Sequence, residues 1–220
     1  MLAAAPPPST PPLPGNRPMP DLIRRPQIIR STPAPAIVAD DFARLVLTVS
    51  ADAPESSESA ATVALPSVAD APNLIVPLAV WQARRDELLA RLPQGGKLGV
   101  SLAPGEEAEQ LAGDFAHLAL IAVEFPKFVD GRGYTSATLL RRLGWTGEIR
   151  AVGDVLRDQF FLMRRCGIDA FALKEGKDLN DALKAFDDFS FTYAGAVDDP
   201  RPLFRRVHRG DASLDAGKSS

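Results

Sequence analysis

Short apolar runs alternate with amphipathic segments between residues 73 and 193 of the sequence. Apolar runs with few polar interruptions indicate strands that are buried on both faces, whereas apolar residues spaced three and four apart indicate helices packed on one side. The apolar runs predict strands at 74–76, 97–102, 118–125, 149–152 and 170–173. The amphipathic segments predict helices at 79–92, 105–117, 135–143, 155–166 and 178–189.

This alternation predicts an α/β fold with a five-stranded, mainly parallel sheet. Strands that alternate with helices pair in parallel through right-handed crossovers. Five such units favour an open doubly wound sheet. A partial (β/α) barrel is the alternative, since a complete eight-stranded barrel normally needs about 250 residues.

Composition divides the chain into four parts. Fourteen of the twenty prolines precede residue 73, and a proline-rich segment cannot bury enough apolar surface to offset the entropy lost on ordering. We therefore predict a disordered tail at 1–24, followed by peripheral strands and a linker at 25–72. The α/β domain is expected at 73–193, and a polar C-terminal tail at 194–220.

Charge and residue types exclude several classes of protein. A net charge of −3 argues against binding to nucleic acid. No apolar run is long enough to span a membrane and the N-terminus lacks the features of a secretory signal, so a cytoplasmic location is expected. With one cysteine and two histidines, the chain offers no ligand set for zinc, haem or an iron–sulfur cluster. No metal is expected, and the sequence leaves the cofactor undetermined.

The first candidate site is the turn that follows the third predicted strand. Its glycines permit a tight backbone, and the free N–H groups at the start of the next helix would attract an anion. Thr135 and Ser136 are expected to cap that helix. The other interpretation is a solvent-exposed turn in which the glycines only permit the backbone conformation. The anion-binding candidates in this turn are Lys127, Asp130, Gly131, Arg132, Gly133 and Ser136.

The second candidate site is the turn at the end of the fourth predicted strand, with Gly153, Asp154 and then Arg157. Gly153 and Arg157 are further anion-binding candidates, whereas Asp154 and Tyr134 are the candidate catalytic residues. Helix capping by Asp154 and an ion pair of Arg157 are the alternatives. Because sequential strands of a parallel sheet are often neighbours, the two turns are expected to form one cleft for a phosphate or sulfur oxyanion. Cys166 is expected to be a buried structural thiol.

Several stretches of the chain resemble a known family. FPKF, DGRGY and AVGDVLRDQ, with the segments around them between residues 73 and 193, closely resemble the bacterial domain-of-unknown-function family 934. Its members are described as oxidoreductases involved in sulfite reduction. The resemblance implies an oxidoreductase or accessory protein of assimilatory sulfate and sulfite reduction, with sulfite reductase as its partner. A non-enzymatic module that binds an anion or a partner, and so regulates sulfur assimilation, is the alternative.

Overall fold

The computed structural model describes residues 21–47, 60, 63–190 and 192–206. In this part of the chain nine strands form one sheet, in the order β1-β4-β5-β6-β7-β8-β9-β2-β3. The strands are β1 Asp21–Arg24, β2 Gln27–Arg30, β3 Ala36–Ala39, β4 Ala43–Val46, β5 Asn73–Pro77, β6 Lys97–Leu102, β7 Leu120–Phe125, β8 Glu148–Gly153 and β9 Ala170–Phe171. The α-helices are α1 Leu78–Ala83, α2 Arg85–Leu89, α3 Arg132–Arg142, α4 Phe160–Arg165, α5 Leu179–Leu183 and α6 Leu203–Arg206. Short 3₁₀ helices lie at Leu92–Gln94, Ala108–His117, Arg157–Gln159 and Lys184–Asp187.

The five predicted strands are present as β5 to β9, and the fold is a mixed α/β fold. Each of these strands pairs in parallel with the next one along the chain. The prediction of a doubly wound sheet is wrong, because such a sheet requires a point at which the strand order reverses. The sheet is a curled half-barrel, as in the alternative prediction.

The number of strands and the mainly parallel character were also mispredicted, because an N-terminal hairpin adds strands β1 to β4. One arm of the hairpin (21–30) pairs antiparallel with β9, and the other arm (36–46) pairs in parallel with β5. The arms pair with each other along β1 and β4 and along β2 and β3. Three residues of the second arm, 40–42, lie opposite two of the first, which is a β-bulge. The hairpin therefore spans the open side of the half-barrel and closes the ring of strands.

The two faces of the sheet are buried in different ways, since successive side chains of a strand point to opposite faces. On the outer face, side chains such as Val123 and Ala151 join the main core together with helical residues such as Leu140 and Phe160. On the inner face, a second apolar cluster consists of strand residues and residues next to strands. Its members are Ile28, Phe42, Ile75, Leu120, Ala122, Val152, Ala170 and Ala172.

Most helices are shorter than predicted. The segment predicted as a helix at 105–117 forms a 3₁₀ helix, Ala108–His117, and the predicted helix at 79–92 is divided between α1 and α2. Helix α3 begins at Arg132 rather than at 135, because the Asp130 carboxylate accepts the Arg132 backbone N–H at 3.1 Å. Thr135 and Ser136 therefore lie inside the helix, and the prediction that they cap it is wrong.

The boundaries of the outer segments also differ from the predicted ones. Residues 21–24, predicted as part of a disordered tail, form β1, and the strands between 25 and 46 close the ring rather than lying at its periphery. Residues 194–206, predicted as tail, include α6, and the Val197 backbone N–H donates to the Arg165 carbonyl at 3.0 Å. The remaining predicted tail residues, 1–20 and 207–220, lie outside the described part of the chain.

Candidate functional site

A small pocket opens into the ring of strands. The hairpin forms one side of it, and β5, β8 and the residue after β9 form the other. Gly153, the last residue of β8, lies at the carboxyl ends of the parallel strands, which is where barrels of this type carry their active sites. The lining residues are Ile23, Arg25, Asp40, Phe42, Arg44, Ile75, Arg150, Val152, Gly153 and Ala172.

The buried Arg150 carries a positive charge into the interior of the ring. Only 1% of its side chain is exposed, and its Nη1 donates to Asp40 Oδ1 at 2.7 Å. Its Nε donates to Glu148 Oε1 at 2.8 Å, and Glu148 Oε2 accepts from Arg30 Nε at 2.8 Å. Removing a guanidinium from water costs several kcal/mol unless it is paired. The two carboxylates offset that cost and fix Arg150 in place, where its guanidinium lies 5.4 Å from the centroid of the Phe42 ring.

Arg44 and Glu124 form a second ion pair, which crosses the interior. Arg44 Nη1 lies 3.2 Å from Glu124 Oε1. Their strands, β4 and β7, are separated in the sheet by β5 and β6. Both side chains are partly exposed, and an ion pair in contact with water contributes little to stability. The pair can therefore rearrange at low cost, in contrast to the buried contacts of Arg150.

Arg25 is the third cationic residue of the pocket. It lies between β1 and β2, is half-buried, and forms no hydrogen bond or ion pair with any other described residue. The lining contains one carboxylate, Asp40, which is already bonded to Arg150 and to the Phe42 backbone N–H. Arg44 is paired with Glu124, and Arg150 is paired with Asp40 and Glu148, so among the described residues the unpaired positive charge of the pocket is that of Arg25. A cation without a carboxylate partner attracts small anions.

The charges of the predicted turn at Asp130 are paired with each other. Arg132 donates from Nε and Nη2 to the two carboxylate oxygens of Asp130, at 3.0 and 2.7 Å. These hydrogen bonds lower the pKa of Asp130 and raise the pKa of Arg132. Gly131 is open to solvent, whereas Gly133 is buried, and a Cβ at this position would collide with the Phe125 ring.

Two other anion-binding candidates of this turn also have contacts within the turn. Lys127 is exposed, and its carbonyl accepts the Asp130 backbone N–H at 3.0 Å. Ser136 Oγ donates to the Arg132 carbonyl at 3.4 Å. Anion binding by this turn stays a prediction, and any ligand there would compete with these contacts.

The second predicted turn lies next to the first. The Asp154 backbone N–H donates to the Phe125 carbonyl at 2.7 Å, and Gln159 Nε2 donates to the Phe128 carbonyl at 3.3 Å. Asp154 Oδ1 lies 2.9 Å from Lys174 Nζ, and this hydrogen bond lowers the pKa of Asp154. The structure thus brings the two turns together, with Asp154 engaged in an ion pair.

Arg157 and Tyr134 complete the predicted set. Arg157 is bonded to Asp181 at 3.0 Å and to Asp188 at 3.1 Å, and these hydrogen bonds raise its pKa. Tyr134 is half-buried, with its ring centroid 5.3 Å from that of Phe125, and burial raises the pKa of its hydroxyl. Burial likewise raises the pKa of the Cys166 thiol, which keeps it protonated at neutral pH.

A family of bacterial proteins of unknown function (DUF934) matches residues 99–204. The match covers 106 of the 220 residues, and we call this part of the chain the DUF934 segment. No curated protein matches the chain. Within the described ranges, no helix has the length and apolar character needed to cross a bilayer. The same residues hold no group of three or more His, Cys, Asp or Glu side chains placed to bind a metal ion.

The DUF934 segment supplies only part of the pocket. It contributes Arg150, Val152, Gly153 and Ala172, as well as Glu124 beside the pocket, whereas the other lining residues precede it. The positive groups at Arg25 and Arg44 come from the hairpin. The pocket is therefore formed where the hairpin and the DUF934 segment meet.

Of the predicted site residues, Gly153 alone lines this pocket, and the arginines were missed. A sequence signal that could have indicated inward-facing charges is the alternation of charged and apolar residues along β7 and β8. In β8, Glu148 and Arg150 flank the buried Ile149, and in β7 Glu124 follows Val123. A charged residue at every second position of an apolar strand indicates that one face of the strand is polar.

Proposed function

We propose that this protein acts in assimilatory sulfate and sulfite reduction by binding a small oxyanion at the mouth of the ring, as an accessory protein of sulfite reductase. The family resemblance supports the sulfur chemistry, and the arginines of the pocket support the anion. Guanidinium groups bind oxyanions through two parallel hydrogen bonds. A binding role therefore accounts for these side chains more directly than electron transfer does.

The observation that carries the proposal is Arg25, a half-buried guanidinium that lines the pocket and has no partner among the described residues. Arg44 Nη1 is bonded to Glu124, whereas its Nη2 donates to no described residue and can bind a ligand beside that carboxylate. Arg150, held by Asp40 and Glu148, lines the same pocket. Several guanidinium groups in one pocket suit an anion of three or four oxygens.

Calorimetric titration of the full chain with sodium sulfite tests the proposal. We expect Arg25→Ala to weaken binding by roughly tenfold or more, because a charge-assisted hydrogen bond contributes about 1.5–3 kcal/mol. Arg24→Ala is the matched control, since the neighbouring Arg24 is exposed and bonds to the Asp70 carbonyl outside the pocket. Binding that is absent from the wild type, or unchanged in Arg25→Ala, would contradict the proposal.

A second control separates the pocket from the predicted turn. Arg132→Ala removes an exposed guanidinium that is bonded to Asp130, and we expect it to leave sulfite affinity unchanged. Loss of binding in Arg132→Ala but not in Arg25→Ala would place the anion at the turn.

The oxidoreductase activity implied by the family resemblance is the alternative proposal. It predicts that the purified chain binds a redox cofactor. Absorbance spectra of the purified chain with and without added flavin or nicotinamide test for cofactor binding. A shifted cofactor spectrum would favour the enzyme, and an unchanged spectrum would favour the binding role.

A further inference from the structure

We propose that the pocket selects oxyanions that carry a proton, such as hydrogen phosphate and hydrogensulfite, over sulfate, and that Glu124 makes the selection. This inference rests on the proposed anion-binding function and specifies the class of ligand. Its basis is the position of one carboxylate beside the arginines of the pocket.

Glu124 has a free hydrogen-bond acceptor in the interior of the ring. Its side chain is 31% exposed, and its Oε1 bonds to Arg44 Nη1 at 3.2 Å. Its Oε2 accepts no hydrogen bond from any described residue. Since Arg44 lines the pocket, an anion bound to Arg44 would lie close to this oxygen.

A carboxylate near the bound anion distinguishes ligands by their protons. An ionised carboxylate only accepts hydrogen bonds. Sulfate at neutral pH also offers only acceptors, so it would be repelled by Glu124. Hydrogen phosphate and hydrogensulfite carry a hydrogen that can be donated to Oε2. Sulfate and phosphate are alike in shape and size, and thus the proton, rather than steric fit, decides between them.

Ser101 is a further polar residue on the inner face of the sheet, outside the residues that line the pocket. Its Oγ is buried and has no hydrogen-bond partner among the described residues. Ser101 lies on β6 beside Ala122 of β7, two positions before Glu124 on the same face. Buried hydroxyl groups rarely lack a partner. A hydroxyl can both donate and accept, so Ser101 adds an unpaired polar group to the inner face near Glu124.

The test is calorimetric titration of the full chain with sodium sulfate, sodium sulfite and sodium phosphate at neutral pH. We expect the wild type to bind phosphate and sulfite roughly tenfold or more tightly than sulfate. Equal affinity for sulfate and phosphate would overturn the inference while leaving the anion-binding function intact. The absence of binding by all three anions would overturn both.

Substitution of Glu124 then tests the residue itself. Glu124→Gln keeps the shape and an oxygen for Arg44 but removes the charge and adds a donor. We expect it to tighten sulfate binding by roughly tenfold and to abolish the preference for phosphate. Glu87→Gln is the matched control, because Glu87 is also paired with an arginine, Arg84, but on α2. A folded Glu124→Gln that still rejects sulfate would overturn the assignment, and the wild-type comparison decides the selectivity whether or not the variant folds.

Discussion

The outer face of the sheet packs against the helices through apolar side chains, whereas the inner face carries Arg44, Ser101, Glu124, Glu148 and Arg150 among small and apolar residues. The same strands supply both faces. In the usual (β/α) barrel the interior is filled by bulky branched residues. Here that interior volume is used for ion pairs and a pocket.

This difference suggests separate roles: stability for the outer face and the proposed ligand binding for the inner face. Removal of apolar surface from water on the outer face stabilises the folded state. Burying charged groups on the inner face costs free energy. Ion pairing offsets that cost but adds no clear gain in stability. We propose that the inner face serves ligand binding, and substitutions on the two faces should therefore have different consequences.

The largest effect is expected on the outer face, for Phe160→Ala. Phe160 is fully buried, and its ring stacks on Phe171 at 4.3 Å and contacts Phe186 at 5.4 Å. Removing a buried phenylalanine ring costs about 3–5 kcal/mol. Urea denaturation would measure the loss, with Phe204→Ala as the control because Phe204 is exposed. A Phe160→Ala curve that overlays the wild type would show that the outer layer is not the stabilising core.

On the inner face, Arg150→Met should be destabilising for an electrostatic reason. It leaves Asp40 without a cationic partner and Glu148 with Arg30 alone. Removing one partner of a buried ion pair costs about 3–5 kcal/mol of stability. We expect a loss at the lower end of this range because Glu148 keeps Arg30 as a partner. The double variant Arg150→Met with Asp40→Leu should recover part of the loss in the same denaturation experiment. No recovery would mean that packing, rather than charge, explains the effect of Arg150.

A smaller effect, dependent on pH, is expected for a polar contact within the helical layer. Asp114 accepts hydrogen bonds from Arg85 and Trp81, and chiefly the Arg85 bond holds the pKa of Asp114 below its ordinary value of 3.8. Since the pKa is lower in the folded state, the stabilisation is complete above pH 3.8 and is lost as pH falls through the folded value. Asp114→Asn should thus be less stable than the wild type at neutral pH, and the two should converge in acid. A difference in unfolding free energy that stays constant across this range would refute the assignment.

The sequence predicted the outer face well and the inner face poorly. Strands β5 to β9 follow from their apolar runs, because burial on both faces leaves a continuous signal. The closing hairpin was underestimated, since short strands around Pro26, Pro33 and Pro35 resemble a linker in composition. Its role depends on pairing with β5 and β9, and such contacts between distant parts of the chain are not encoded in local pattern.

The candidate site shows the same limit. Glycines and charged residues at strand ends indicated the turns at Asp130 and Asp154, and these two turns are adjacent in the structure. This pattern could not show that Arg157 and Asp154 pair with Asp181, Asp188 and Lys174, because these partners lie in later segments of the chain. Equally, Arg25 and Arg150 lie far apart in sequence and come together in the pocket only when the ring closes.

The most direct test of the central claim, that the anion binds inside the ring, is a phosphate titration of the ¹⁵N-labelled chain followed by two-dimensional NMR. We predict that the amide signals of Phe42, Ile75 and Ala172, which line the pocket, shift in a saturable manner, while those of Gly131 and Ser136 in the predicted turn stay in place. Saturable shifts at Gly131 and Ser136, with no change at the pocket residues, would contradict the account.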